Sequence, residues 1–135
     1  SKIELATRKL IADKLPAIHQ NGTIHINEKL VESAQYKYDG FLRKNPGEER
    51  ENPLSLRMVL NYLTLSDYKD ILTSKTNWNY FENTFETKGN VMNRYTQLGT
   101  MRNKLRHDNE LTTVERKDGE AAIEWFNKCL IDYIN

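Results

Sequence analysis

The chain is poor in several features that usually announce a function. One cysteine in 135 residues, Cys129, leaves no internal disulfide and suits a reducing compartment. No apolar run reaches membrane-spanning length and no signal-peptide pattern opens the sequence, so the expectation is a cytoplasmic protein with no membrane partner. A net charge of +1 supplies no global field of the kind many nucleic-acid binders carry, and any such binding must come from a local patch. Absent too are a P-loop, a His-Glu-x-x-His pair and paired Cys-x-x-Cys motifs, which leaves zinc and nucleotide-hydrolase chemistry without a foothold. With 38% hydrophobic and 29% charged residues, the chain is polar but can fold, and it is long enough to bury a sizeable core as one domain, 1–135. It opens at Ser1 directly in a helical pattern, as an excised piece of a longer protein could.

Helical periodicity dominates. Residues 2–15 place Ile3, Leu10 and either Ala6 or Leu5 on one face ahead of the breaker Pro16, with Glu4 and Arg8 as an i,i+4 pair. Residues 19–26 read as a turn with too little alternation for a sheet. Asn27 is placed to cap a second helix carrying Leu30, Val31, Ala34, Tyr38, Phe41 and Leu42. The charged stretch 44–53 has prolines or glycine at both ends and no apolar anchor, so a mobile loop is expected. Short helices follow at Leu54–Leu63, after a Ser66 cap, and at Trp78–Phe85 after an Asn77 cap; a long one runs from Gly89-Asn90 to about His107. Beyond the polar connection 108–117, Asp118 can cap a final helix with Ile123, Trp125 or Phe126, Cys129, Leu130, Tyr133 and Ile134 facing inward. The expected fold is all-α, a compact bundle of about five to six helices.

Most chemistry-bearing residues have structural duties at this level. His19 and His25 flank a turn without an acid at ligand spacing and read as two exposed turn histidines rather than a metal site. Cys129, on an apolar face, reads as an inert core thiol. Trp78, Tyr80, Phe81 and Phe85 could stack on bases, but their helical spacing favours the core. Of Tyr36 and Tyr38, one must face outward.

The exception is Met101-Arg102-Asn103-Lys104-Leu105-Arg106-His107. Along the long helix Val91, Tyr95, Leu98, Met101 and Leu105 form an apolar stripe. With Arg102 set to zero, Arg106 lies at about 40°, Asn103 at about 100° and His107 at about 140° around the axis. Arg102 and Arg106 are i,i+4 neighbours, a like-charge pair that costs a few tenths of a kcal/mol on an isolated helix and that an anion would relieve.

Arg102-Asn103…His107 resembles the R-x4-H motif of the HEPN superfamily, in which a polar residue, commonly Asn, follows the arginine near the end of a long helix. The flanking text is similar to one HEPN subgroup: an opening Glu-x3-Arg helix (Glu4, Arg8), then Leu65-Ser66-Asp67-Tyr68, Asn77-Trp78 and a phenylalanine ahead of the motif helix. The resemblance covers most of the chain and is least informative over 27–53. It implies a metal-independent endoribonuclease without cofactor, acting in a toxin–antitoxin, phage-defence or RNA-processing setting. In that chemistry the ribose 2′-OH attacks its own phosphate, leaving a cyclic phosphate and a 5′-OH end.

The residue types suit such a reaction. Histidine ordinarily changes charge near neutral pH, so His107 can act as general base or acid. Arg102 offers a planar fork of donors to phosphate oxygens. Asn103 can orient the imidazole or bond the substrate, and Lys104 and Arg106 are candidates for the RNA phosphate path. One histidine is thin for both acid and base. HEPN domains meet this by forming a homodimer through the motif helix, which pairs two motifs across a cleft. Asn109 stands where HEPN toxins silenced by a nucleotidyltransferase antitoxin carry tyrosine, which argues against that mode of silencing. The alternative is a non-catalytic HEPN dimerisation or RNA-binding module within a larger multidomain defence protein, attached to an effector or sensor domain. A helical protein-interaction domain with no nucleic-acid role is a third reading.

Overall fold

Seven α-helices and one two-residue-stranded hairpin make up the described residues, 1–134, of this computed structural model. In chain order they are α1 (Lys2–Lys14), β1 (His19–Gln20), β2 (Thr23–Ile24), α2 (Glu28–Lys44), α3 (Leu56–Asn61), α4 (Leu65–Thr73), α5 (Trp78–Phe85), α6 (Lys88–Arg106) and α7 (Thr113–Cys129). The all-α bundle is as expected, with seven helices rather than five to six.

Local sequence explains most boundaries. Ser1 caps α1, Asn27 caps α2 through the Lys29 N–H, Ser55 caps α3 and Thr87 caps α6. Two helices start earlier than expected. Thr64, not Ser66, caps α4, and Thr112, not Asp118, caps α7. Each is a reciprocal box: Thr64 and Asp67 exchange bonds with each other's backbone, as do Thr112 and Glu115. Two amide donors satisfied together outweigh the single bond a lone Ser or Asp offers downstream. The expected turn at 19–26 is a genuine antiparallel hairpin, His19 opposite Ile24 and Gln20 opposite Thr23. Asn21 and Gly22 both have positive φ, 52° and 80°, the two-residue turn that such a dipeptide favours.

α6 is the central post. It packs most extensively on α7 and next on α4, while α1 lies across α3, α4 and α7. Val91, Tyr95 and Leu98 are buried along it, facing Phe81, Phe85, Ala122 and Phe126. Tyr95 meets Phe126 edge-on at 4.4 Å between centroids, and its hydroxyl pairs with the buried Thr7 hydroxyl of α1 at 2.7 Å. Met101 is half-buried, but Leu105, expected in the same stripe, is 58% exposed. The last turn of α6 outruns the elements that would cover it.

Other open choices are resolved by packing. On α1 it is Ala6 that is buried and Leu5 that faces out. Tyr38 turns in and Tyr36 out, Phe41 of α2 is largely exposed, and Phe126 fills the core while half-buried Trp125 stacks on Phe85. Phe81 and Phe85 are core residues, as their spacing predicts. The loop 45–55 lacks the expected freedom of attachment: the Tyr38 hydroxyl accepts from the Glu51 N–H and donates to the Glu49 carbonyl, and Arg50 pairs with Asp39 at 3.0 Å. No helix is long and apolar enough to cross a membrane among the described residues.

Candidate nucleic-acid interface

The motif occupies the uncovered end of α6. Its first arginine is fastened from a distance. Glu4 near the start of α1 is ion-paired with Arg102, and the same carboxylate bonds Arg8 one turn on, at 3.4 Å. Arg8 Nε donates to the Tyr68 hydroxyl at 2.6 Å, and that hydroxyl donates to the Leu60 carbonyl at 2.7 Å. Burial raises the Tyr68 hydroxyl above its ordinary value, with the Arg8 hydrogen bond acting in the opposite direction. Arg102, Glu4, Arg8 and Tyr68 therefore form one polar chain joining α6, α1 and α4. Glu4 is 15% exposed and Arg102 32%, so the pair is partly shielded from solvent.

A groove of about 340 Å³ lies beside this chain, lined by Arg102, Asn103 and Arg106 of α6 and by Thr64, Leu65 and Ser66 across from them. The opposite wall is the start of α4. Its capping box consumes the Thr64 and Asp67 N–H groups, and the first-turn amides of Leu65 and Ser66 have no acceptor within the helix. The positive end of the α4 dipole adds to the two guanidiniums. Glu4 also lines the groove, so a negative charge sits at its base beside Arg102.

The remaining motif residues part company. Lys104 points to the other side of α6 and pairs with Glu115 at 2.7 Å. That ammonium, with the Thr112 N–H, holds the Glu115 carboxyl at about 2. Lys104 is thereby committed to joining α6 to α7 and does not line the groove. His107 is the C-cap residue of α6, its N–H bonded to the Asn103 carbonyl at 3.1 Å. It is exposed and lies outside the groove's wall. Arg102, Asn103 and Arg106 are thus brought together, with His107 one turn past Asn103 and outside the lining, and Lys104 turned away.

The sequence reading missed Glu4 as the partner of Arg102. Its signal was present only as the local Glu4–Arg8 spacing; the 98-position separation from Arg102 is a tertiary fact. The histidine pair divides as well. His19 is exposed, but His25 is only 6% exposed, with Nδ1 bonded to Asn77 Oδ1 at 2.8 Å. The expectation of two exposed turn histidines therefore fails for His25. Asn77 gives no side-chain cap to α5 because its amide is spent in the core, the oxygen on His25 Nδ1 and the nitrogen on the His25 and Ile71 carbonyls. Cys129 is half-buried at the end of α7, and burial raises its thiol, as for an inert structural cysteine. No group of three or more His, Cys, Asp or Glu among the described residues could hold a metal ion. No protein-family model matches the chain, and neither a curated protein nor a solved structure does.

Proposed function

We propose that this is a HEPN-type, metal-independent endoribonuclease, with the groove at the end of α6 binding the phosphodiester. The observation that carries the reading is the convergence of Arg102, Asn103 and Arg106 with the first residues of α4 on one groove of about 340 Å³. In this reading Arg102, held by Glu4, presents its remaining donors to a non-bridging phosphate oxygen. Arg106 offers charge to the same or the next phosphate. His107, exposed at the end of α6, takes the 2′-OH proton or returns one to the leaving 5′-oxygen. Asn103, one turn before it, orients the ribose or the imidazole. The resemblance noted in the sequence gains support from geometry: Glu4, Arg8, Tyr68 and Arg102, all within its quoted motifs, belong to one hydrogen-bonded chain.

A single chain presents His107 beside, not inside, the groove, and this favours a homodimer in which one protomer's imidazole addresses the groove of the other. The uncovered last turn of α6, with Leu105 exposed, is the natural seam for a two-fold contact.

A second reading rests on a specific observation. Glu4 already engages Arg102 in a structural ion pair, as suits a domain that binds RNA or a second copy without cutting, in the manner of a module fused to an effector or sensor domain or held by an antitoxin. One experiment separates the two. Purified protein is incubated with mixed RNA in excess chelator, beside His107→Ala. Catalysis predicts cyclic-phosphate ends, loss of about 10²–10⁴-fold in rate for the variant, and resistance of 2′-deoxy-substituted RNA. Cleavage by His107→Ala at the parental rate refutes the catalytic assignment, and salt-dependent binding without cleavage selects the second reading.

A further inference from the structure

A second cavity lies at the opposite end of α4 from the Arg102 groove, about two helical turns away along a nine-residue helix. It is bounded by the β2–α2 junction and by the end of α4, and holds about 580 Å³, a volume usual for a small-molecule site. Its apolar wall is Ile24, Leu30 and Ile71, and its charged residues are Glu28, Asp70 and Lys29, two acids to one base.

His25 makes this more than a dent between acidic side chains. The residue is only 6% exposed, yet it lines the cavity. Asn77 fixes its tautomer. The Asn77 amide nitrogen donates to two carbonyls, those of His25 and Ile71, so the oxygen is the atom left facing His25 Nδ1. An amide oxygen only accepts, and Nδ1 must therefore carry the proton. In the neutral form of the ring Nε2 is then a lone-pair acceptor. It has no protein partner and is not sealed from solvent among the described residues, and the cavity is the space that His25 lines. Orienting a buried imidazole through one nitrogen so that the other is presented outward is how proteins prepare histidine to receive a ligand. The Tyr80 ring, edge-on at 5.8 Å, holds it in place from another side.

The chemistry of the wall selects the ligand. An acceptor nitrogen with two carboxylates at the mouth wants N–H donors and positive charge, and Leu30 and Ile71 want a short apolar body. We propose that this cavity binds a small organic ammonium compound, a primary amine that donates one N–H to His25 Nε2 and whose charge is balanced by Asp70 and Glu28. The site is independent of the ribonuclease reading and stands or falls apart from it.

The probe is 1,4-diaminobutane, titrated by calorimetry and by nitrogen NMR of the histidine rings, with butyrate and 1-butanol as controls of the same body. Saturable diamine binding that shifts His25 Nε2 and leaves His19 unmoved is expected. Asp70→Asn and Glu28→Gln, both at exposed positions that leave the fold intact, should each weaken it about fivefold or more, since each removes a charge-assisted partner. Lys29→Ala should tighten it. The proposal is overturned if the diamine does not bind, if the Asn and Gln variants bind it undiminished, if butyrate or butanol binds equally, or if the His25 signal does not move.

Discussion

Replacing Gly119 by alanine sets two known effects against each other at the seam that carries the motif. Gly119 is buried in the second turn of α7, where it faces Met101, the residue before Arg102. A methyl group there would overlap Met101 Sδ and lie 3.1 Å from its Cβ and 3.2 Å from its Cγ. Helix propensity alone favours alanine over glycine by about 1 kcal/mol. Overpacking typically costs about 1–3 kcal/mol, and here the Cβ contact, unlike the thioether, cannot be relieved by a change of rotamer. The balance is a net loss of about 1 kcal/mol, or a fall of roughly 3–5 °C in melting temperature for a domain of this size. In a Met101→Ala background the Sδ and Cγ contacts are gone while the 3.1 Å contact with Cβ stays, so Gly119→Ala should become close to neutral, a relief of about 1 kcal/mol within one double-mutant cycle. Thermal and urea melts of the four proteins measure it. Equal effects of Gly119→Ala in the two backgrounds would refute the close approach of α6 and α7 at Met101.

Removing the anchor of Arg102 by Glu4→Ala leaves Arg8 and Arg102 facing each other uncompensated; partly exposed as they are, the loss is about 1–2 kcal/mol, greater at low salt, read in melts at two ionic strengths. Asn77→Ala strips partners from two buried carbonyls and from His25 Nδ1, and should cost about 3 kcal/mol or more in urea unfolding, against about 1 kcal/mol for an ordinary cap. The Glu115 carboxyl, lowered from 4.5 to about 2 by the Lys104 ammonium and the Thr112 N–H, has a folded value below its unfolded one. Its contribution is complete above pH 4.5 and is lost as pH falls toward 2. Glu115→Gln should therefore flatten the melting-temperature curve across that window and leave its shape above pH 5 unchanged; an unaltered acid limb would show the pair to be idle.

Much of the architecture is legible one segment at a time. Cap residues, a Thr-x-x-Glu or Thr-x-x-Asp box and an Asn-Gly turn are interactions within four residues, and the two helix starts placed too late, at Ser66 and Asp118, had such boxes in plain sight upstream. Periodicity identifies Val91, Tyr95 and Leu98 as core because they recur on one face. It cannot end the stripe, and Leu105 is exposed because no neighbour extends that far. Between candidates on adjacent positions, Ala6 or Leu5 and Trp125 or Phe126, the period allows either, and only the partner helix chooses.

The candidate site divides along the same line. The sequence by itself determined that Arg102, Asn103 and Arg106 share one flank of a helix, because a turn of about 3.6 residues leaves no freedom in the matter; it left Lys104 among the phosphate-path candidates, and only the Lys104–Glu115 pair turns that residue away. Only the tertiary structure decided that Glu4 grips Arg102 across 98 positions, that the start of α4 forms the groove's other wall, and that one of two turn histidines is buried with its ring nitrogens assigned. Those outcomes depend on which surfaces exclude water from one another. Burial across helices is a property of the packed whole, and no local spacing encodes it.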